Sequence, residues 1–93
     1  MKIEHIDNGR KGAFYVGEEN NLQAEMTYLW SGSQKIIVDS THVDPTLRGH
    51  GVGQQMLNEL VSFARARKLK VMPLCPFAKA QFDKNPSYSD VLF

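Results

Sequence analysis

Only one cysteine, Cys75, occurs in 93 residues, so no internal disulfide can staple the chain, and a reducing compartment suits it. No apolar run is long enough to span a bilayer. The start Met1-Lys2-Ile3-Glu4-His5, with no apolar stretch behind it, reads as neither a signal nor a transit peptide, so the expected location is the cytoplasm and no membrane partner is expected. An excess of one charge is also missing: 11 Lys and Arg against 10 Asp and Glu leave +1, which gives no support to a nucleic-acid partner. The local cluster Arg65, Arg67, Lys68 and Lys70 falls where a helix would end, and cations favour that end of the helix dipole. His5, His42, His50 and Cys75 lack any ligand spacing, so no metal is expected. There are no repeats and no low-complexity tracts.

What is present is the composition of an ordinary globular chain, 42% hydrophobic and 23% charged, which argues against disorder. This length makes one domain, residues 1–93, with one modest core and no separate substrate domain. Any site must then lie on the surface or in a cleft of that core.

Lys2 to Asp7 and Gly12 to Gly17 read as short strands joined through Asn8-Gly9, the dipeptide best suited to a tight hairpin. Leu22, Ala24, Met26, Tyr28 and Trp30 recur at period two and mark one face of a third strand. After the turn Ser31-Gly32-Ser33, Lys35 to Val43 reads as the fourth strand, stopped by Asp44-Pro45. Four strands in meander order predict an antiparallel sheet. From Gly51 the period changes: Val52, Met56, Leu57, Leu60, Val61 and Ala64 share one helical face. Leu69 to Cys75 reads as a fifth strand, which a crossover helix should lay parallel to the fourth. Pro76 suits the first turn of a short last helix through Phe77, Ala78, Ala80 and Phe82, ended by Asn85-Pro86. The tail residues Tyr88, Val91, Leu92 and Phe93 should pack back onto the sheet. The fold class is therefore mixed α/β, or α+β.

The most informative segment is Arg48-Gly49-His50-Gly51-Val52-Gly53, between the fourth strand and the long helix. Glycine lets the backbone approach a ligand or adopt positive φ, and the helix start aims unpaired N–H groups and a partial positive charge at the same point. A Walker loop would need a lysine and a hydroxyl residue after Gly53, where Gln54 and Gln55 stand. A dinucleotide fingerprint would need another glycine spacing and an acidic residue on the next strand tip, which instead ends in Leu74-Cys75. What is left is a cradle for a pyrophosphate, or a helix start whose glycines serve close packing.

In its context of strand, loop, long helix and strand, this hexapeptide resembles the acyl-coenzyme A loop of the GNAT acetyltransferase superfamily. Cys75-Pro76-Phe77 and Asn85-Pro86-Ser87-Tyr88 extend the likeness to the minimal single-domain GNAT-like proteins. The resemblance implies a GNAT-like mixed sheet: an antiparallel meander of four strands, a crossover helix, a parallel fifth strand and a short C-terminal helix. It also implies acetyl-CoA as cosubstrate, with pyrophosphate at Arg48, Gly49, His50, Gly51, Val52, Gly53 and Gln54, and pantetheine along Thr41, His42 and Val43, where the two parallel strands splay. Pro73, which cannot donate a ladder hydrogen bond, suits such splaying. GNAT enzymes place one or two helices between their first two strands as a wall for the acceptor amine; Asn8-Gly9 replaces them here. An open site would suit a broad or macromolecular acceptor, or a partner that completes it.

The implied activity is acetyl transfer to an amine of a small molecule or protein, and the expected state is a monomer or weak dimer. Cys75, at the cap of the last helix, is a candidate nucleophile or thioester-positioning group; its alternative is a small buried apolar residue. Asp39 and His42 are the candidate bases, with an exposed carboxylate and a half-buried histidine as the plain alternatives. Phe77 and Phe82 are candidate cofactor contacts or core. The rival from another class is a non-catalytic CoA or acyl-CoA binding module, favoured by the missing acceptor wall.

Overall fold

The computed structural model describes all 93 residues, Met1–Phe93. The period-two pattern acts as a pleated strand demands: Ala24, Met26 and Tyr28 turn to one side of their strand and are fully buried. Five strands form one sheet in the order β1 (Glu4–Asp7), β2 (Lys11–Glu18), β3 (Asn21–Trp30), β4 (Lys35–Val43) and β5 (Lys70–Pro73). The first four pair antiparallel and β5 lies parallel to β4. That parallel neighbour is reached through the helix α1 (Val52–Arg67), and a second helix, α2 (Pro76–Lys84), follows β5. The expected mixed sheet is thus the one the chain forms.

Two strands are shorter than their sequence suggests. β1 begins at Glu4 rather than Lys2. β5 keeps only Lys70–Pro73 of the stretch Leu69 to Cys75. Lys68 closes α1 in the left-handed region at φ 56°, and the Leu69 N–H is drawn back to the Ala64 carbonyl at 2.8 Å. At the other end Cys75 is already the N-cap of α2.

The helical face read from sequence is the one buried: Val52, Met56, Leu57, Leu60, Val61 and Ala64 pack with Phe14, Met26, Tyr28, Ile36 and Val38 in one core. Truncating Leu57 or Leu60, both fully buried, would cost about 2–5 kcal/mol. Ala78, Phe82, Tyr88 and Val91 from α2 and the tail join the same core. Leu92 and Phe93, by contrast, stay 41% and 64% exposed, so the tail docks through Tyr88, Val91 and backbone bonds to Val71. With both helices on one side, the molecule is only 20 Å thick, about two layers, and the outer sheet face is open.

One corner of the inner face is closed by a network that crosses three strands. Gly12 on β2 carries no side chain, and the Tyr28 ring lies over it where a Cβ would stand. Tyr28 thereby reaches β1: its hydroxyl donates to Asp7 Oδ2 at 2.5 Å and accepts from His5 Nε2 at 2.7 Å. Trp30 Nε1 donates to the same carboxylate oxygen at 2.8 Å, and the Gly9 N–H to Oδ1 at 2.7 Å. The His5 ring stacks on Phe14 at 4.1 Å and meets Phe63 edge-on at 4.7 Å. Although partial burial opposes ionisation of Asp7, donation by Tyr28, Gly9 and Trp30 holds its carboxyl below the usual range. Burial, against the pull of Asp7, lowers His5, and burial together with the bond to Asp7 raises Tyr28.

Candidate functional site

Diagonally across the sheet, β4 and β5 part. They pair from Lys35 with Lys70 to Val38 with Pro73. The N–H groups of Leu74 and Cys75 then both turn to the single carbonyl of Val38, at 2.9 and 3.0 Å. Pro73 has no donor with which to prolong the ladder. The chain after it enters α2, whereas β4 runs on to Val43 with only β3 beside it. Asp39 to Val43 therefore present one unpaired backbone edge.

A β-bulge sets which side chains line that edge. Thr27 pairs with Ser40 and Tyr28 with Val38, leaving Asp39 as the extra residue, and an extra residue inverts the alternation beyond it. Thr41 and Val43 consequently share the inner face with their partners Met26 and Ala24, and His42 shares the outer face with Glu25. Thr41 Oγ1 lies 3.2 Å from Cys75 Sγ. The sulfur is also the acceptor for the Ala78 N–H at 3.4 Å, and Cys75 is only 4% exposed. Asp39 is exposed on the other side, accepting from Thr27 Oγ1 at 2.6 Å. The three candidate catalytic groups are thus divided by the sheet: Cys75 on the helix side, Asp39 and His42 on the outer side, with the gap between them.

The glycine loop follows from the free end of β4 and leads into α1. Asp44 caps a 3₁₀ turn, Pro45–Leu47, by accepting from the Thr46 N–H at 2.9 Å and its hydroxyl at 2.8 Å; those bonds hold its carboxyl below the usual range. Gly49 and Gly51 then take φ of 84° and 72°, with open space where a Cβ would be. Only glycine adopts that region cheaply. Gly53 differs: it is helical and buried, and a Cβ there would meet the Phe77 ring at 2.7 Å. The glycines therefore differ by position: the first two shape an open loop, and the third lets α2 approach α1, as the close-packing alternative expects.

The first backbone donor of α1 to find a backbone acceptor is Gln55, bonded to Gly51 at 3.0 Å. The N–H groups of Gly51, Val52, Gly53 and Gln54 ahead of it have no backbone acceptor, as at any helix start. Arg48, Gly49, His50 and Gly51 are exposed, whereas Val52 is buried. Sequence reasoning missed what fixes Gln54: its Nε2 donates to the Tyr88 hydroxyl at 2.6 Å, and Tyr88 donates in turn to Asn58 Oδ1 at 2.5 Å. The i, i+4 spacing of Gln54 and Asn58 was the available signal. Phe77 is half-buried against Gly53, and Phe82 lies in the core, 6% exposed, against Tyr88 at 5.4 Å. No three of His, Cys, Asp and Glu converge as ligands would. The donors at the start of α1, the bare glycines and the unpaired edge of β4 fit a long phosphorylated ligand that lies from the loop into the gap.

Known proteins are similar to this chain in sequence and in fold. The model of a family described as GCN5-related N-acetyl-transferase matches residues 13–91. A GCN5-like protein from Staphylococcus aureus, solved in solution by NMR and proposed to be an N-acetyltransferase, is 40% identical over 97% of this chain and 87% of its own, with a TM-score of 0.77. The ribosomal-protein-S18-alanine N-acetyltransferase of Escherichia coli shares the fold at 16% identity and a TM-score of 0.65, over 84% of this chain and 53% of its own. A predicted acetyltransferase from Clostridium acetobutylicum, crystallised with acetyl-CoA, does so at 20% identity and 0.61, over 80% and 55%. No protein of curated function matches the chain.

Proposed function

Because the chain belongs to the GCN5-related N-acetyltransferase family, whose members use acetyl-CoA, we propose that it binds acetyl-CoA in the gap between β4 and β5 and moves the acetyl group to an amine. The observation that carries this reading is the end of the β4–β5 ladder at Val38 and Pro73, directly beside a loop with four unpaired helix-start donors. The N–H groups of Gly51 to Gln54 hold the pyrophosphate, with Arg48 exposed beside them. The unpaired edge at Thr41 and Val43 receives the pantetheine amides. When bound, the thioester supplies an activated acetyl group.

Division of the candidate groups by the sheet supports direct transfer. The donor approaches from the loop, on the helix side, and the amine from the outer face, where Asp39 and His42 stand. One of these takes the proton that the attacking nitrogen loses; the new bond is C–N, the broken bond is C–S, and the CoA sulfur leaves and is protonated to the thiol. Cys75, capped into α2 and bonded to Thr41, holds the wall of the gap rather than the acetyl group.

The test has two stages. Coenzyme A should raise the melting temperature of the wild type, and Arg48→Glu combined with Gly51→Val should abolish that shift; a wild type with no shift overturns the binding. Thiol release measured across amines, polyamines and lysine peptides should then exceed the hydrolysis background and persist in Cys75→Ala. Release at background for every amine would leave a CoA-binding module without transfer.

A further inference from the structure

The outer face of the sheet carries an apolar stripe that no helix covers. Leu29 on β3, Ile37 on β4 and Met72 on β5 are consecutive register partners. Their inner neighbours Tyr28, Ile36 and Val71 are fully buried, so these three face away from both helices. Leu29 is 41% exposed, and Ile6 on β1 of the same face is 46% exposed. Beside this stripe lies a hollow of about 590 Å³ floored by the short side chains of Ala13 and Thr27. It is not the gap between β4 and β5.

Charge on this face is sorted along the strands. Lys11 and Lys35 stand at the Leu29 end, Glu4, Glu25 and Asp39 toward the other. Neither Lys11 nor Glu25 has an ion-pair partner within the chain, whose only salt bridges are Lys2–Glu4 and Arg65–Asp90. A face that is basic at one end and acidic at the other complements a copy of itself turned end for end. With a net charge of only +1, two copies also meet without general repulsion.

We infer that two copies of this chain pair back to back through their outer sheet faces, the strands of one running opposite to those of the other. The apolar side chains around Leu29 of each copy then enter the hollow over Ala13 and Thr27 of its partner, and Lys11 of each lies over the Glu25 end of the other. Aligned packing of twisted sheets supplies the geometry. The paired area is about 1,000 Å² in total, from four strands at ordinary spacing, the lower bound for a specific interface, so the dimer is weak. Asp39 lines the hollow, so the pairing shares that candidate base with the proposed chemistry, whereas the proposed coenzyme A loop lies on the helix side. The pairing would also give the outer side of the gap the wall that the direct Asn8-Gly9 turn leaves out.

Sedimentation equilibrium of the full chain from micromolar to millimolar concentration tests this. Mass should rise toward twice the monomer, and Leu29→Glu should hold it at the monomer with an unchanged circular dichroism spectrum. Lys11→Glu and Glu25→Lys should each weaken pairing at least tenfold, and the double variant should restore it within threefold. A monomer at all concentrations overturns the proposal, as does a dimer that survives Leu29→Glu. Failure of the double variant to recover would overturn the end-for-end arrangement. A monomer whose Leu29, Ile37 and Met72 methyl resonances shift on addition of a lysine-rich peptide would assign the face to the acceptor and overturn the second copy.

Discussion

The inner corner at β1–β3 and the gap at β4–β5 are built from the same sheet and meet opposite ends. In the corner the polar side chains partner one another: Asp7 collects donors from Tyr28, Trp30 and Gly9, and His5 Nε2 bonds to Tyr28. At the gap the ladder stops at Val38 and Pro73, and the backbone edge of β4 and the first donors of α1 are left without backbone acceptors. Satisfied polar groups rigidify a fold, and unpaired ones cost stability unless solvent or a ligand takes them up. The corner holds the sheet together so that the gap can stay open.

Gly12→Val strikes the corner hardest. The new Cβ would stand inside the Tyr28 ring and close to the Ile6 carbonyl, so the ring must leave Asp7 or β2 must shift. We expect a loss of about 3 kcal/mol, which for a chain of this size lowers Tm by roughly 12–24 °C. A thermal scan within a few degrees of wild type would show that Tyr28 does not need the space.

Tyr28→Phe asks a narrower question, since it keeps the ring and removes the hydroxyl. Loss of its bonds to Asp7 and His5 should cost about 1–2 kcal/mol at neutral pH, and the acid profile should flatten. Asp7 is lowered from 3.8 in the folded protein, so its contribution is present above that value and fades as pH falls through the folded one. His5 is lowered from 6.5, so the unfolded chain takes up its proton first, and stability begins to fall below that value. Denaturant unfolding of the wild type between neutral and acid pH should show both losses, and the variant a shallower fall. Parallel profiles would remove the network from the account of acid stability.

The same contrast explains what could be read from the sequence. The meander, the crossover helix and the glycine loop were legible because each depends on local periodicity or on glycine at a helix start: Ala24, Met26 and Tyr28 for the strand face, Val52 to Ala64 for the helix, Gly49 and Gly51 for the loop. The corner was not, because Gly12 and Tyr28 are partners only through register, and Asp7 joins them from a third strand. Nor was the bulge at Asp39, which puts Thr41 beside Cys75 and turns His42 to the outer face. Asp39, Thr41 and His42 are neighbours in β4, and a single extra residue there decided which of them meets Cys75. The stop of β5 at Pro73 was partly legible, through its missing donor; the early turn of Cys75 into a cap depends on packing of α2 against Gly53.

The smallest expected effect on stability belongs to the gap. Thr41→Ser keeps a hydroxyl 3.2 Å from Cys75 Sγ and gives up a methyl, whereas Thr41→Val keeps the shape and loses the bond. A bond to sulfur is weak, so Thr41→Val should change the unfolding free energy by less than about 1 kcal/mol, a Tm shift of at most about 8 °C. If the gap exists to take a ligand, the coenzyme A-induced Tm shift should fall in Thr41→Val and be kept in Thr41→Ser. Equal shifts in both variants would make Thr41 part of the frame rather than the binding edge. A large loss of stability in Thr41→Val would erase the contrast itself, since the open end of the sheet would then carry the fold as the closed corner does.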